Sequence, residues 1–115
     1  MLFRSAISIA VLHHISSEEK RKCFVLNIIK CLRKGGKALI VVWAKEQDIK
    51  HTWKQINGND YLIPWHGNDH IIYERYYHLF SKEEVIDLFA CFSRSIKVHD
   101  IQYELDNWCI VLSKK

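Results

Sequence analysis

The chain has 115 residues, which is enough for one small domain and too few for two. Hydrophobic residues make up 49% of the sequence, which supports a packed core and argues against wholesale disorder. The formal net charge of +4 permits an anionic partner such as RNA but does not require one, because the Lys and Arg residues are scattered along the chain.

Composition also bears on membranes and on redox state. No apolar run approaches the roughly 18 residues that a membrane span needs, and no small-residue cleavage site follows the short apolar start of the chain. The four cysteines form no CxxC pair and lie in apolar contexts. We therefore expect buried free thiols in a reducing compartment, and neither disulfides nor a zinc cluster.

The first elements in chain order form a βαβ unit. Nearly continuous apolar runs at residues 6–12 and 38–43 are typical of strands buried on both faces in a parallel sheet. Between them, Ser16 and Glu19 have the spacing of a capping box that starts a helix. Apolar residues then repeat at helical spacing, and Gly35–Gly36 is expected to end the helix.

Residues 44–75 show no clear periodicity and contain four aromatic residues and the only proline. The sequence predicts a long irregular loop in this range. Such a loop is unusual in a compact domain, and it is either an ordered segment that covers a functional site or a disordered segment. The aromatic residues favour an ordered segment on the ligand side of the sheet.

The last third of the chain predicts one helix and a hairpin. A second capping box, Ser81 with Glu84, starts a helix that runs to about Phe92. The apolar alternation then changes parity near His99–Asp100, which predicts a β-bulge. A turn at Asp106–Asn107 joins the last two strands into an antiparallel hairpin. The order of elements indicates an α/β fold resembling the second half of a larger sheet.

The predicted topology points to one ligand site. In open α/β sheets, ligands bind beyond the carboxyl ends of the strands. The first predicted strand ends at His13–His14 and the second ends at residues 43–46, so these segments are expected to lie side by side. The long aromatic loop leaves from the same edge, which makes this edge the best candidate site.

Adjacent side chains of an extended segment point to opposite sides, so His13 and His14 are poorly arranged to bind one metal ion. No Asp or Glu lies nearby at ligand spacing. Two interpretations remain open. One histidine caps the strand end by hydrogen bonding, or the pair forms the wall of a small-molecule pocket.

Aromatic and basic residues elsewhere also leave alternatives open. Trp43 and Trp65 are either packing aromatics or faces that stack on a nucleobase. Arg75, beside Tyr77 and His78, can hold an anionic group or belong to an ordinary edge strand. The sequence shows no Ser/His/Asp triad, no paired-carboxylate site and no phosphate-binding glycine loop.

Five segments carry a family resemblance. "ISIAVLHHISSEEKR", "LRKGGKALIVVWAKEQ", "YLIPW", "RYYHLF" and "DNWCIVLSKK" occur in that order. Together they resemble the tRNA wobble-uridine carboxymethyl methyltransferases, a family of class I S-adenosylmethionine-dependent methyltransferases, over nearly the whole chain. "AVLHH", "WAKEQ" and the combination of "RYYHLF" with "NWC" are specific to this group.

The resemblance implies a partial domain. Residues 1–115 would hold strands four to seven of a seven-stranded Rossmann-like sheet, with 44–75 as a long active-site-side loop. The family's glycine-rich turn and the acidic residue that holds the cofactor ribose are not found in this sequence. We therefore expect the chain alone to be inactive, and its first strand to be an apolar sheet edge that pairs or aggregates unless covered.

The resemblance also implies the reaction. The methyl group of S-adenosylmethionine passes to the carboxylate of 5-carboxymethyluridine in the tRNA anticodon loop, and the family works with a small zinc-binding activator subunit. A carboxylate is already a nucleophile, so positioning rather than general base catalysis would dominate. A cytoplasmic protein that can also enter the nucleus is expected.

Site residues follow from the sequence and the resemblance together. Arg75 is expected to orient the substrate carboxylate, with Tyr77 and His78 beside it. No residue is expected to bind a metal. The remaining candidates line two sides of the site: His14, Trp43, Trp65 and Trp108 on the substrate side, and Ala10, Val11 and His13 on the cofactor side.

Two other functions remain open at this stage. The chain could be a non-catalytic remnant that binds RNA or a protein through its aromatic loop. It could also belong to a methyltransferase that acts on another substrate.

Overall fold

The computed structural model describes residues 1–115 and contains two β-sheets and two α-helices. The elements in chain order are β1 (Phe3–Ile9), a 3₁₀ helix (Leu12–His14), α1 (Glu18–Cys31), β2 (Leu32–Trp43), β3 (Lys54–Asn57), β4 (Asp60–His66), β5 (Ile72–His78), α2 (Lys82–Ala90), β6 (Ile96–Glu104) and β7 (Asn107–Lys114). The α/β class predicted from the sequence is confirmed.

The larger sheet has the strand order β1-β2-β7-β6. β1 and β2 are parallel, whereas β7 runs antiparallel to both β2 and β6. The predicted parallel pair and terminal hairpin are therefore both present. Alternate residues of β2 and β7 face the helices and form the main core, in which Ile40, Ile110 and Leu112 are fully buried.

The first strand differs from its prediction in position and burial. β1 ends at Ile9 rather than at residue 12, because Ala10 takes a positive φ of 60° and the chain turns into the 3₁₀ helix. β1 is an outer strand of the sheet, and Ile7 is 73% exposed. The expectation of burial on both faces is wrong here, and the expected apolar edge is confirmed.

Helix α1 begins and ends elsewhere than predicted. Its cap is Ser17, whose side chain accepts a hydrogen bond from the Lys20 N–H at 3.1 Å, so the box placed on Ser16 and Glu19 is wrong by one residue. The helix ends at Cys31, and Gly35–Gly36 lies inside β2. Gly36 serves the close contact between β1 and β2 rather than a helix end.

Residues 44–75 do not form the predicted loop, because β3, β4 and most of β5 fall within this range. These strands make a second, antiparallel sheet in the order β3-β4-β5. The sheet has its own small core of Tyr61, Ile63, Tyr77 and Leu79. The strands are short and only parts of them are buried, so the sequence shows no regular alternation.

The two sheets join at a single backbone contact. Ala44, just after β2, forms a parallel bridge with Phe80, just after β5. The Phe80 N–H donates to the Trp43 carbonyl at 3.0 Å, and the Lys45 N–H donates to the Phe80 carbonyl at 2.8 Å. This joint brings the end of β5 to the carboxyl ends of the parallel strands.

The carboxyl-terminal predictions are close to the structure. Ser81 caps α2 by accepting from the Glu84 N–H at 3.1 Å, and the helix ends at Ala90, two residues early. The register shift between Val98 and Asp100 confirms the bulge. The hairpin turn is Leu105–Asp106, one residue before its predicted place, with φ values of 48° and 67° that are typical of a type I′ turn.

The cysteines are free, as expected, but their predicted burial is wrong. Cys23, Cys31 and Cys91 are exposed, and Cys109 is half-buried. Their apolar neighbours in sequence face the core from other positions of the same elements. Neither helix has the length and apolarity needed to cross a membrane.

Gly36 offers a test of the β1–β2 contact. A Cβ atom at this position would lie 2.9 Å from the Arg33 carbonyl oxygen and 3.0 Å from that of Phe3. We expect Gly36→Ala to lower the free energy of unfolding by about 2 to 3 kcal/mol, because backbone atoms cannot move aside cheaply. Urea denaturation measures the change.

The matched control is Gly35→Ala. Gly35 has a φ of 82° and open space around it, so only backbone strain of about 1 kcal/mol is expected. Equal losses of stability in the two variants would contradict the proposed close approach of β1 to Gly36.

Candidate functional site

An aromatic cluster stands where the carboxyl ends of β1 and β2 meet the second sheet. Tyr77 stacks on Trp43 with ring centroids 4.4 Å apart, and on His13 with centroids 5.2 Å apart and an interplanar angle of 13°. His14 meets the Tyr77 ring edge-on at 4.4 Å. The predicted convergence of His13, His14 and Trp43 at one edge is thus observed, and β5 supplies the fourth ring.

His13 is a neutral, buried imidazole. Its side chain is 1% exposed, and its Nδ1 accepts a hydrogen bond from the Trp43 N–H at 3.2 Å. Burial lowers the pKa of His13 to about 3, with a further contribution from neighbouring His14. Because Nδ1 accepts, the single ring hydrogen is on Nε2, which has no hydrogen-bond partner in the protein.

His14 has a different role. Its ring is exposed, and Nδ1 lies 3.0 Å from the Tyr76 carbonyl oxygen, to which it donates. His14 therefore links the 3₁₀ helix to β5. This is the hydrogen-bonding role that the sequence left open for one of the two histidines, and one edge of the His14 ring stays exposed. No group of three or more His, Cys, Asp or Glu residues is arranged to hold a metal ion.

Ala10 and Val11 lie on the same edge, directly before His13. The Ala10 N–H donates to the Val41 carbonyl at 3.1 Å, which holds the turn against the end of β2. Val11 is 43% exposed. Both residues are exposed, two and three positions before the buried histidine.

One face of β4 and β5 continues from this cluster to an open pocket. Alternate residues of a strand share a face, so Arg75 lies on the same side of β5 as Tyr77. The Arg75 guanidinium carbon is 4.1 Å from the centroid of the Trp65 ring. Beside this pair lies a cavity of about 500 Å³. Its lining consists of Trp65, Gly67, Asn68, Asp69, Tyr73 and Arg75.

The pocket combines a cation with flat aromatic surfaces. Both Trp65 and Tyr73 are more than 40% exposed, and Asp69 fixes Tyr73 by accepting from its hydroxyl at 2.6 Å. A guanidinium presents paired donors that match a carboxylate, and exposed rings offer stacking surfaces for a base. This region can therefore hold a flat ligand that carries an anionic group.

His78 does not share that face. It follows Tyr77 directly, so its ring projects from the other side of β5. There its Nδ1 lies 2.6 Å from Asp60 Oδ1, and its Nε2 contacts Glu84 Oε2. Of the three residues predicted to surround a carboxylate, the structure brings Arg75 and Tyr77 to one face and leaves His78 behind it.

Sequence reasoning missed the groups behind β5. Burial would raise the pKa of Asp60, but hydrogen bonds from Tyr76, at 2.6 Å, and from His78 outweigh it and lower that pKa. Burial and the same hydrogen bond raise the pKa of Tyr76 to about 12. Glu84 completes the group. These residues lie far apart in sequence with no shared motif, so no signal pointed to them.

Trp108 lies away from the aromatic cluster. It is 6% exposed within the main core and pairs with Val42 across β2 and β7, on the face of the sheet opposite to Trp43. Its indole N–H donates to Glu46 Oε1 at 3.3 Å. The structure does not bring Trp108 to the predicted substrate side.

Glu46 explains part of the "WAKEQ" segment. Besides Trp108, its carboxylate accepts from the Lys82 N–H at 3.0 Å, at the start of α2. Its carbonyl oxygen accepts from the Tyr103 hydroxyl at 2.5 Å. The segment therefore fastens the end of β2 to α2 and to β6.

The buried state of His13 predicts an acid-sensitive stability. Because the folded pKa, about 3, lies below the ordinary value of 6.5, only the unfolded chain binds this proton between these values. The contribution of His13 to the free energy of unfolding should therefore be fully present above pH 6.5 and should be lost as the pH falls. The slope should approach about 1.4 kcal/mol per pH unit.

Urea denaturation at several pH values between about 4.5 and 6 measures this slope, above the range in which Asp60 titrates. His13→Leu should be less stable throughout but should lose the His13 part of the slope. The control His99→Gln, at an exposed site, should retain it. An unchanged slope in His13→Leu would contradict the assignment.

Comparisons with known proteins identify relatives. No family model matches the chain. The tRNA (carboxymethyluridine(34)-5-O)-methyltransferase of Schizosaccharomyces pombe is 36% identical over 132 aligned positions, covering 97% of this chain and 57% of its own length. The protein named tRNA (carboxymethyluridine(34)-5-O)-methyltransferase alkbh8, from Xenopus tropicalis, is 29% identical, covering 97% of this chain and 26% of its own. The chain thus spans about half, or less, of the relatives that it matches.

Solved structures share the fold at low identity. A methyltransferase from Methanosarcina mazei described as SAM-dependent superposes with a TM-score of 0.70 at 12% identity, covering 98% of this chain and 59% of that one. The amino pentose methyltransferase CalS10 from Micromonospora echinaspora gives 0.68 at 10% identity, covering 99% and 59%. The chain is therefore similar, over 97% of its length, to the carboxyl-terminal part of the fission yeast tRNA (carboxymethyluridine(34)-5-O)-methyltransferase, and it shares its fold with part of these solved methyltransferases.

Proposed function

We propose that the chain forms the acceptor side of an S-adenosylmethionine-dependent methyltransferase that esterifies the carboxylate of 5-carboxymethyluridine at the tRNA wobble position. The observation that carries the proposal is the continuous face of the second sheet. It runs from Tyr77, stacked on His13 at the carboxyl ends of the parallel strands, to Arg75 over Trp65. The names of the relatives support the choice of substrate.

The residues of this face suit a carboxylate acceptor. Arg75 would bind the carboxylate and aim it along the strand toward Tyr77, while Trp65 and Tyr73 would stack on the uracil ring. A carboxylate oxygen attacks carbon without first losing a proton, so the chain need not supply a general base. Its work is to align the acceptor, a contribution that can reach several kcal/mol of the barrier.

The cofactor edge is suited to S-adenosylmethionine in one observable respect. His13 Nε2–H is a buried donor without a partner, and the exposed residues Ala10 and Val11 precede it on the same edge. Such a donor matches the carboxylate of an amino acid group. These three residues would hold the methionine end of the cofactor. When bound, the cofactor supplies the methyl group.

The whole enzyme would need more than these 115 residues. The fission yeast relative extends well beyond the match, and we propose that sequence of that kind completes the cofactor site. The chain alone would then neither bind S-adenosylmethionine at micromolar concentration nor methylate tRNA. The tRNA anticodon loop and a small zinc-binding activator subunit are the proposed partners, in the cytoplasm and the nucleus.

An exposed surface favours a second candidate, RNA binding without catalysis. Trp65, Ile71, Ile72 and Tyr73 are each at least 43% exposed on the β4–β5 hairpin. Exposed aromatic residues beside Arg75 form a stacking surface that single-stranded RNA can use. In this case, joining the chain to sequence from a relative would restore no methyl transfer to any nucleic acid.

Arg75 provides the discriminating experiment. The chain is joined to the amino-terminal segment of the fission yeast relative, and transfer of labelled methyl groups is measured on tRNA that carries carboxymethyluridine. We expect Arg75→Ala to reduce kcat/KM about 100-fold or more, because the carboxylate loses its paired donors. The control Arg94→Ala, at an exposed site, should have little effect.

The outcomes separate the candidates. Full activity in Arg75→Ala would refute the assigned carboxylate contact. Methyl transfer to tRNA that lacks carboxymethyluridine would indicate a methyltransferase of another substrate.

A further inference from the structure

A polar network lies behind the face of β5 that carries Tyr77 and Arg75. We propose that His78 is a positioning residue: as an imidazolium shared by Asp60 and Glu84, it holds β5 in the orientation that presents Tyr77 and Arg75 to the acceptor. The proposal rests on the proposed function, because that function assigns this face to the methyl acceptor. The network itself is independent of which substrate is bound.

The geometry requires a doubly protonated ring. His78 is 7% exposed; its Nδ1 lies 2.6 Å from Asp60 Oδ1, and its Nε2 contacts Glu84 Oε2. Ionised carboxylates only accept hydrogen bonds, and a neutral imidazole has only one N–H. Both nitrogens therefore carry hydrogen, and the ring is an imidazolium.

The charges of the network balance only in that state. Asp60 and Glu84 contribute two negative charges, and the buried guanidinium of Arg21 contributes one positive charge that also acts on Asp60. The second positive charge is that of His78. The Tyr76 hydroxyl adds a hydrogen bond to Asp60 at 2.6 Å but no charge. Removing the His78 proton would leave a partly buried carboxylate uncompensated, which is costly.

The network connects β5 to three other elements. Asp60 is on β4, Glu84 is on α2, and Arg21 is on α1, where it donates to the Ile15 carbonyl at 2.8 Å. A neighbouring cavity of about 530 Å³ gives the network access to water and protons. The remaining charged groups that line it are Glu18, Lys22, Glu83 and Asp87. These four charged residues belong to α1 and α2. Together with Asp60, Glu84 and Arg21, they account for the charges that surround His78.

His78 acts on the acceptor face through the backbone. It is adjacent to Tyr77, and its attachments to Asp60 and Glu84 fix the end of β5 before the Phe80 bridge to β2. Loss of either attachment would weaken the hold of β4 or α2 on this segment. The contact of Tyr77 with Trp43 should then loosen.

Nuclear magnetic resonance on the 115-residue chain tests the proposal. The ¹⁵N signals of the His78 ring report its protonation, and the nuclear Overhauser enhancement between Tyr77 and Trp43 ring protons reports their contact. In the folded wild type, we expect both ring nitrogens of His78 to carry hydrogen. In His78→Gln we expect at least a twofold weaker enhancement, because the charge shared by Asp60 and Glu84 is lost. Circular dichroism of each variant confirms that the chain is still folded.

Variants separate positioning from a general structural effect. Glu84→Gln, which removes one carboxylate and keeps the shape of the side chain, should weaken the enhancement in the same direction as His78→Gln, whereas the control His99→Gln should behave as the wild type. A wild-type His78 ring with a single N–H would overturn the proposal. So would an enhancement that is unchanged in a folded His78→Gln or Glu84→Gln variant. The wild-type ring and Glu84→Gln decide the matter even if His78→Gln does not fold.

The test is separate from that of the proposed function. It measures ring protonation and a ring contact in the absence of cofactor and tRNA. The network can therefore be confirmed while methyl transfer fails, and methyl transfer can be confirmed while the His78 and Glu84 variants leave the contact of Tyr77 unchanged.

Discussion

The parallel bridge between Ala44 and Phe80 is the constraint on which the arrangement of the site depends. Two backbone hydrogen bonds there attach the chain leaving β5 to the end of β2. Side-chain contacts of Tyr77 and His14 also join the second sheet to the first, but this joint is the backbone link. With it, Tyr77 is placed against His13 and Trp43, and the open pocket around Arg75 lies further along the same face.

The joint also explains why several of the segments that carry the resemblance are clustered in space. "AVLHH" supplies one ring that stacks on Tyr77, and "WAKEQ" begins with another, so that the three rings contact one another. The rest of "WAKEQ" stabilises the joint, because the Glu46 carboxylate binds the start of α2 and the indole of Trp108. "RYYHLF" contributes to both faces of β5, one turned to the proposed acceptor and one to the ionic network. These segments are therefore parts of one assembly rather than separate sites.

Sequence reasoning succeeded where the signal was local. The cap at Ser81 and the change of parity at the bulge depend on neighbouring residues only, and both occur as predicted. The convergence of His13 and Trp43 followed from the rule for parallel strands. Reasoning failed for residues 44–75, because a small sheet stabilised by a few aromatic contacts with Trp43 and Trp53 has no periodic pattern. It also failed to foresee that His78 faces away from Arg75, although positions 75 and 78 of one extended strand lie on opposite faces.

We propose that the Arg75–Trp65 pocket receives the carboxymethyl base. Nuclear Overhauser enhancements between 5-carboxymethyluridine, at millimolar concentration, and the 115-residue chain test this placement. We expect enhancements from the side-chain methylene of the nucleoside to the rings of Trp65 and Tyr77, weakened in Arg75→Ala and absent with uridine. Enhancements to Trp108 in place of these rings, or equal binding of uridine, would show that the base binds elsewhere.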